Sequence, residues 1–204
     1  MTMKRFISLF ARCTLMALLV MTVTTHSAFA CVGKSLIIGA LDNTQQQVLA
    51  QMLSILISER TGTSVKVVLI DGHEEAHEAL LRADLDMYVE YTGIGQVVLL
   101  QDEPIADSKA LFEAVKGRYK SELNLIWMQP FGFSEDQIAP AGTVADAAPV
   151  VRKDTLKKFP ALARLINKLG GVIDAEAMET LEKACNEASS REVARNFLKQ
   201  NRFI

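Results

Sequence analysis

Residues 71–78 read Asp-Gly-His-Glu-Glu-Ala-His-Glu, and His73, Glu74 and His77 fall at the H-E-x-x-H spacing. On a helix that spacing puts two imidazoles and a carboxylate on one face, the arrangement with which a zinc hydrolase holds its metal and activates a water. The chemistry also needs a third ligand and an open fourth position. The extended form of the motif continues with Gly and His, whereas here the chain continues Glu-Ala-Leu-Leu-Arg-Ala-Asp-Leu-Asp. Glu113 and Glu122 are the acidic candidates on a later helix, and nothing around them singles out either. After residue 30 no histidine other than His73 and His77 remains to support a metal. The competing reading is structural: Asp71-Gly72 forms a turn, His73 and Glu74 occupy a first helical turn where acids suit the dipole, and His77 packs beside Leu80 and Leu81. The missing parts favour this second reading, with no metal and no cofactor expected and zinc hydrolysis kept as the alternative.

The elements that carry this stretch follow from hydrophobic period. Ser35–Ala40 is a short apolar run suited to a buried strand, and Val48, Leu49, Met52, Leu53, Leu56 and Ile57 then repeat at helical spacing until Thr61-Gly62. Residues 64–70 are β-branched and read as a strand, residues 71–83 as a turn and short helix, and residues 85–90 as a third strand. This alternation implies an α/β domain with right-handed crossovers and a central, mostly parallel sheet flanked by helices. A helix from Tyr91, capped by Thr92, an amphipathic helix over 107–123 and a strand over 124–128 come next. Residues 129–148 shift to Pro, Gly, Ala and small polar types and read as a connector. Residues 148–152 form a returning strand, and the remainder forms C-terminal helices, the last with a Ser189/Glu192 capping box.

Residues 1–30 read as a signal peptide: Lys4 and Arg5, an apolar stretch from Cys13 to Val23 too short to span a bilayer, then Ala28-Phe29-Ala30. The expected product is a soluble periplasmic domain, 31–204, of a length that suits one core; Ala28 and Phe29 fit a lipobox poorly, so lipid at Cys31 is the lesser reading. Removing the leader takes three positive charges and leaves a formal net charge of −5 instead of −2, which argues against nucleic acid as a partner. Two cysteines, Cys31 and Cys185, remain; a disulfide between them and a pair of free thiols both stay open.

The order of motifs resembles the periplasmic substrate-binding proteins of glycine betaine, choline and carnitine ABC transporters. Gly72 to Gly93, Gly-His-Glu-Glu-Ala-His-Glu-Ala-Leu-Leu through Asp-Met-Tyr-Val-Glu-Tyr-Thr-Gly, matches the family's second helix and third strand. Thr44 and Gln46 match a Thr-Glu-Gln segment at the start of the first helix, with Gln45 in place of the acid. Residues 147–181 resemble the strand and helices that return the chain to the first lobe, and Ala145 stands where the family usually has Tyr. His77 is then a family helix position, and His73 completes the protease spacing by chance. The resemblance implies a type II periplasmic-binding-protein-like lobe in single-lobe form, because family members insert a second lobe where this chain has the connector.

It also implies a small quaternary ammonium solute and an inner-membrane permease as partners, with a homo-oligomer or a second-lobe partner supplying the opposite wall. A quaternary ammonium has no proton to donate and a diffuse charge, so aromatic faces hold it, and in such sheets ligands sit beyond the carboxyl ends of the strands. That edge nominates Tyr91 for the aromatic contact, with Gln46, Thr92, Asn43 and the helix-start amides of Gly72 and His73 as polar partners. A half-buried aromatic at a strand end is the plain alternative for Tyr91. Trp127 and Tyr119 read as core candidates, and Asp86, Tyr88 and Glu90 as structural. A partner that keeps the lobe only for interaction or sensing is a further reading.

Overall fold

The computed structural model describes residues 35–204. The expected leader, its cleavage point and Cys31 lie outside the described residues. Strands β1 (Ser35–Leu41), β2 (Ser64–Ile70), β3 (Met87–Tyr91), β4 (Leu125–Trp127) and β5 (Ala147–Arg152) form one sheet in the order β2-β1-β3-β5-β4. β1 pairs in parallel with β2 and β3, whereas β5 runs antiparallel between β3 and β4. The mostly parallel sheet thus contains one reversed strand, and that strand makes both of its own pairings antiparallel.

Helix α1 (Thr44–Thr61) begins at Asn43, whose side-chain oxygen accepts from the Gln46 amide at 2.9 Å, and ends at Gly62 in the left-handed conformation with φ 69°. Its apolar stripe covers one face of the sheet, but Ala50, Ser54 and Ile55 are buried too. A helix buried nearly all round needs cover on its outer side, and the C-terminal helices α6 (Ala175–Ala184) and α7 (Ser190–Gln200) pack there. Arg195 pairs with Glu59 at 2.8 Å, Arg191 donates to Gln51 at 3.1 Å, and Arg60 donates to the Phe203 carbonyl at 2.6 Å. α7 carries the expected cap, with Ser189 accepting from the Glu192 amide.

On the other face lie α2 (His73–Leu81), α3 (Ser108–Arg118) and the π-helical turns Ile94–Leu99 and Tyr119–Leu123. The short helices α4 (Lys153–Lys158) and α5 (Leu162–Ile166) connect β5 to the C-terminal pair. Asp86 joins three elements: its backbone and carboxylate bond Ile37 of β1, and its carboxylate accepts from Thr155 of α4 at 2.7 Å. Cys185 is half-buried and forms no disulfide among the described residues. No helix among the described residues is long and apolar enough to cross a membrane.

The segment between β4 and β5 has more order than its composition suggests. The Phe131 amide bonds the Ala147 carbonyl, Ala147 the Phe133 carbonyl, and Glu135 the Ala145 carbonyl, while Ser134 and Asp146 form a bridge. Residues 131–135 and 145–147 therefore form a narrow antiparallel ribbon closed by a loop over 136–144, with Phe131 and Phe133 buried in the core under it.

Candidate functional site at the carboxyl edge of the sheet

Alternation along β3 divides the site between two interiors. Met87, Val89 and Tyr91 enter the α1 face, and Tyr88 enters the α2–α3 face, as does Glu90 by the same alternation. Of the residues nominated from sequence, Tyr91, Thr92 and Gln46 are buried, His73 and Gly72 are half-buried, and Asn43 is exposed. Tyr91 is 2 % exposed, so its ring presents no open aromatic face. Its cover includes the ribbon, whose Phe133 and Ala145 share its core cluster.

The Tyr91 hydroxyl donates to Gln45 Oε1, and Gln45 Nε2 donates to Glu135 Oε2 at 3.1 Å. Burial pushes the Tyr91 phenol well above its ordinary range, and the adjoining Gln46 amide acts in the opposite sense. Gln46 is fully buried beside Tyr91, and neither atom of its amide reaches a hydrogen-bond partner among the described residues. A buried amide left unpaired costs roughly 1–3 kcal/mol. The Glu182 carboxyl, on α6, is raised by burial and by the nearby Glu135 and Glu179 charges.

Behind β3, Glu90 is fully buried, and its Oε1 accepts from both the Tyr91 amide at 2.8 Å and His73 Nδ1 at 2.7 Å. Burial works against the His73 imidazolium, but the hydrogen bond and charge of Glu90 outweigh it and hold the pKa above its ordinary value. One carboxylate oxygen thus ties the start of α2 to the end of β3. Gly72 precedes α2 with φ 153°, and no side chain caps the helix there. His77, one turn on, meets the edge of Tyr119 with centroids 5.4 Å apart, and burial lowers its pKa. Tyr119 and Trp127 are buried core residues.

This geometry divides the H-E-x-x-H stretch. His73 is engaged by Glu90, His77 lies against Tyr119, and Glu74 is exposed. Glu113 pairs with Lys116 and Glu122 with Arg118. Among the described residues no group of three or more His, Cys, Asp or Glu side chains is placed to hold a metal, so the zinc alternative finds no support.

Two nominated residues have structural engagements. The Asn43 side chain caps α1. Thr92 does not cap the helix after β3 as expected: its amide bonds the Asp146 carbonyl, and its Oγ1 accepts from the Asp146 amide at 3.1 Å and donates to the Val144 carbonyl at 3.3 Å. These bonds seat the loop on Gly93, where a Cβ would meet Thr143 Oγ1 at 2.5 Å and the Val144 carbonyl at 2.6 Å. Gln45 and Glu135 were missed as site residues. The one sequence signal was Gln45 in place of an acid: a carboxylate there would face Glu135, whereas the amide donates to it.

Comparison with known proteins gives a consistent assignment. The profile of the substrate-binding domain of ABC-type glycine betaine transport systems matches residues 34–138 and 136–200. The carnitine transport binding protein OpuCC of Listeria monocytogenes is 28 % identical over 184 residues, covering 86 % of this chain and 56 % of that protein. The ergothioneine transport permease and binding protein EgtU of Helicobacter pylori is 34 % identical over 102 residues, covering 50 % of this chain and 18 % of that one. The chain therefore spans little more than half the length of one of these relatives and under a fifth of the other. Among solved structures, a glycine betaine/carnitine/choline ABC transporter protein superposes with a TM-score of 0.77 at 17 % identity, covering 82 % of this chain and 99 % of that one. Apo YehZ from Escherichia coli superposes with a TM-score of 0.71 at 16 % identity, covering 85 % and 100 %. At these identities the superpositions establish the periplasmic-binding-protein-like fold.

Proposed function

Since the chain belongs to the family of substrate-binding domains of ABC-type glycine betaine transport systems, we propose that it is a single-lobe, extracytoplasmic solute-binding module whose site is the carboxyl edge of the sheet. The solute is a small quaternary ammonium compound of the betaine and choline type, and an inner-membrane permease is the downstream partner. The carrying observation is Gln46: fully buried beside Tyr91, it has an amide with no hydrogen-bond partner for either atom among the described residues, at the edge where ligands of parallel α/β sheets bind.

In this reading Tyr91 supplies the aromatic wall and Gln46 the polar contact, with the uncapped amides of Gly72 and His73 as further donors. Thr92 and Asn43 shape the edge through the loop and the α1 cap. Because Tyr91 is covered, a solute reaches it when the ribbon or the loop over 136–144 gives way. Residues 129–148 stand where a second lobe would be inserted, and a second copy or another chain closes the open side. A lone lobe encloses one side of a small ligand, so affinity without that partner is weak.

Calorimetric titration with choline, glycine betaine, carnitine and proline betaine tests the reading. Saturable heat with at least one of them, reduced by Gln46→Ala, is expected. No heat with any of them at millimolar concentration would leave the fold without the function.

A further inference from the structure

We propose that this edge selects solutes of net positive charge over zwitterions, and that Glu135 is the specificity-determining carboxylate. The inference rests on the solute-binding reading above and narrows its substrate class. The segments that build the edge, residues 41–46, 70–77, 91–107 and 128–146, carry ten Asp or Glu and no Lys or Arg. The opposite end of the sheet is mixed, with Arg60, Arg82, Arg152 and Lys153 standing there beside Glu59, Glu78, Asp84, Asp86 and Asp154. The acids at the proposed site therefore have no Lys or Arg within their own segments, and that end carries a negative field.

Within that field Glu135 has a particular position. It is half-buried, it accepts from Gln45 Nε2 at 3.1 Å, and Gln45 Oε1 accepts from the Tyr91 hydroxyl. The carboxylate polarises the Gln45 amide, and the amide in turn draws on the Tyr91 proton, which leaves the phenol ring richer in electrons toward a cation. Glu182 adds a second charge close to Glu135. Independently of these acids, the unpaired amide of fully buried Gln46 against Tyr91 marks the place where a ligand group is missing.

A trimethylammonium head gains from this arrangement whatever its tail. A tail carboxylate does not: His73 is engaged by Glu90 and Arg118 by Asp102, so a tail that approaches Glu135 and Glu182 finds no uncommitted cation to offset them. A tail hydroxyl carries no such penalty. Choline and glycine betaine share the head and differ in that tail, so they isolate the effect.

The test is calorimetry of the full chain with choline and glycine betaine, for the wild type, Glu135→Gln and Glu182→Gln, at low and physiological ionic strength, with thermal melts to confirm folding. The wild type should bind choline roughly tenfold or more tightly than glycine betaine, as expected for one charge acting across a partly buried distance. Glu135→Gln should shrink that ratio several-fold, mainly by weakening choline, and Glu182→Gln should act in the same direction but less, which keeps a readout if Glu135→Gln does not fold. Added salt should compress the wild-type ratio. Equal affinities in the wild type, or a ratio unmoved by both substitutions, would overturn the charge selection and leave the solute-binding reading intact. Silence with both ligands would overturn the charge selection, and the solute-binding reading would fall with it if carnitine and proline betaine were silent too.

Discussion

The two sides of β3 solve the burial problem differently. On the α1 side Met87 and Val89 meet Leu49, Met52, Leu53 and Leu56, a mostly hydrocarbon interior whose buried polar groups, Tyr91, Gln45, Gln46 and Ser54, are few among many apolar side chains. On the α2–α3 side Tyr88 and Glu90 are fully buried among His77, Tyr119 and Trp127, and Glu90 Oε2, the Tyr88 hydroxyl, His77 Nδ1 and Trp127 Nε1 have no hydrogen-bond partner among the described residues. The first side supplies stability through close packing, which tolerates loss of volume poorly. The second holds polar groups at a cost, and its return is position: Glu90 fixes both the strand end and the helix start that border the candidate site.

The contrast can be broken first on the packed side. Leu53→Ala, at a position with no exposure in the middle of α1, should cost about 3–4 kcal/mol in denaturant unfolding, with little change in ligand preference. On the polar side Glu90→Gln should cost less, about 2 kcal/mol, because shape is kept while the charge-assisted bond to His73 is lost. The discriminating measurement is NMR titration, in which the His73 midpoint falls in this variant and stays put in Leu53→Ala. Ser189→Ala, which removes a cap remote from both interiors, should cost about 1 kcal/mol and leave both histidines unchanged.

The finest effect is a tilt with pH. His73 is raised from 6.5, so its contribution is complete below that value and is lost as pH climbs through the folded pKa. His77 is lowered from 6.5, so its contribution is complete above that value and is lost as pH falls toward the folded pKa. Stability should therefore peak near the ordinary imidazole value. His73→Asn should flatten the alkaline flank in melts between about pH 5 and about pH 8, and His77→Asn the acid flank. A flat profile in the wild type would mean that the two sides do not differ as described.

Local rules made the elements legible. The α1 stripe, the β-branched run of β2 and the Ser189 cap each follow from a few neighbouring residues, and the structure places them where those residues indicated. What stayed hidden depends on contacts between distant segments. The small and turn-forming residues over 129–148 gave no sign of a ribbon, because its order comes from bonds between 131–135 and 145–147 and from Phe131 and Phe133 sinking into the core. Without that ribbon Tyr91 reads as a surface aromatic. Gln45 and Glu135 lie 90 positions apart, so their bond had no local signature beyond an unexpected amide. The two histidines shared a motif on paper, and burial on different neighbours separated them.

The Ser134–Asp146 bridge has a consequence for how this protein can be altered. It pins both ends of the loop over 136–144 at a fixed separation, so a guest sequence spliced there inherits anchored ends. The entropy of closing such an excursion grows only logarithmically with its length, and each doubling adds about 0.6 kcal/mol. The fold thus has a natural splice point for grafted modules, at the rim of the candidate site.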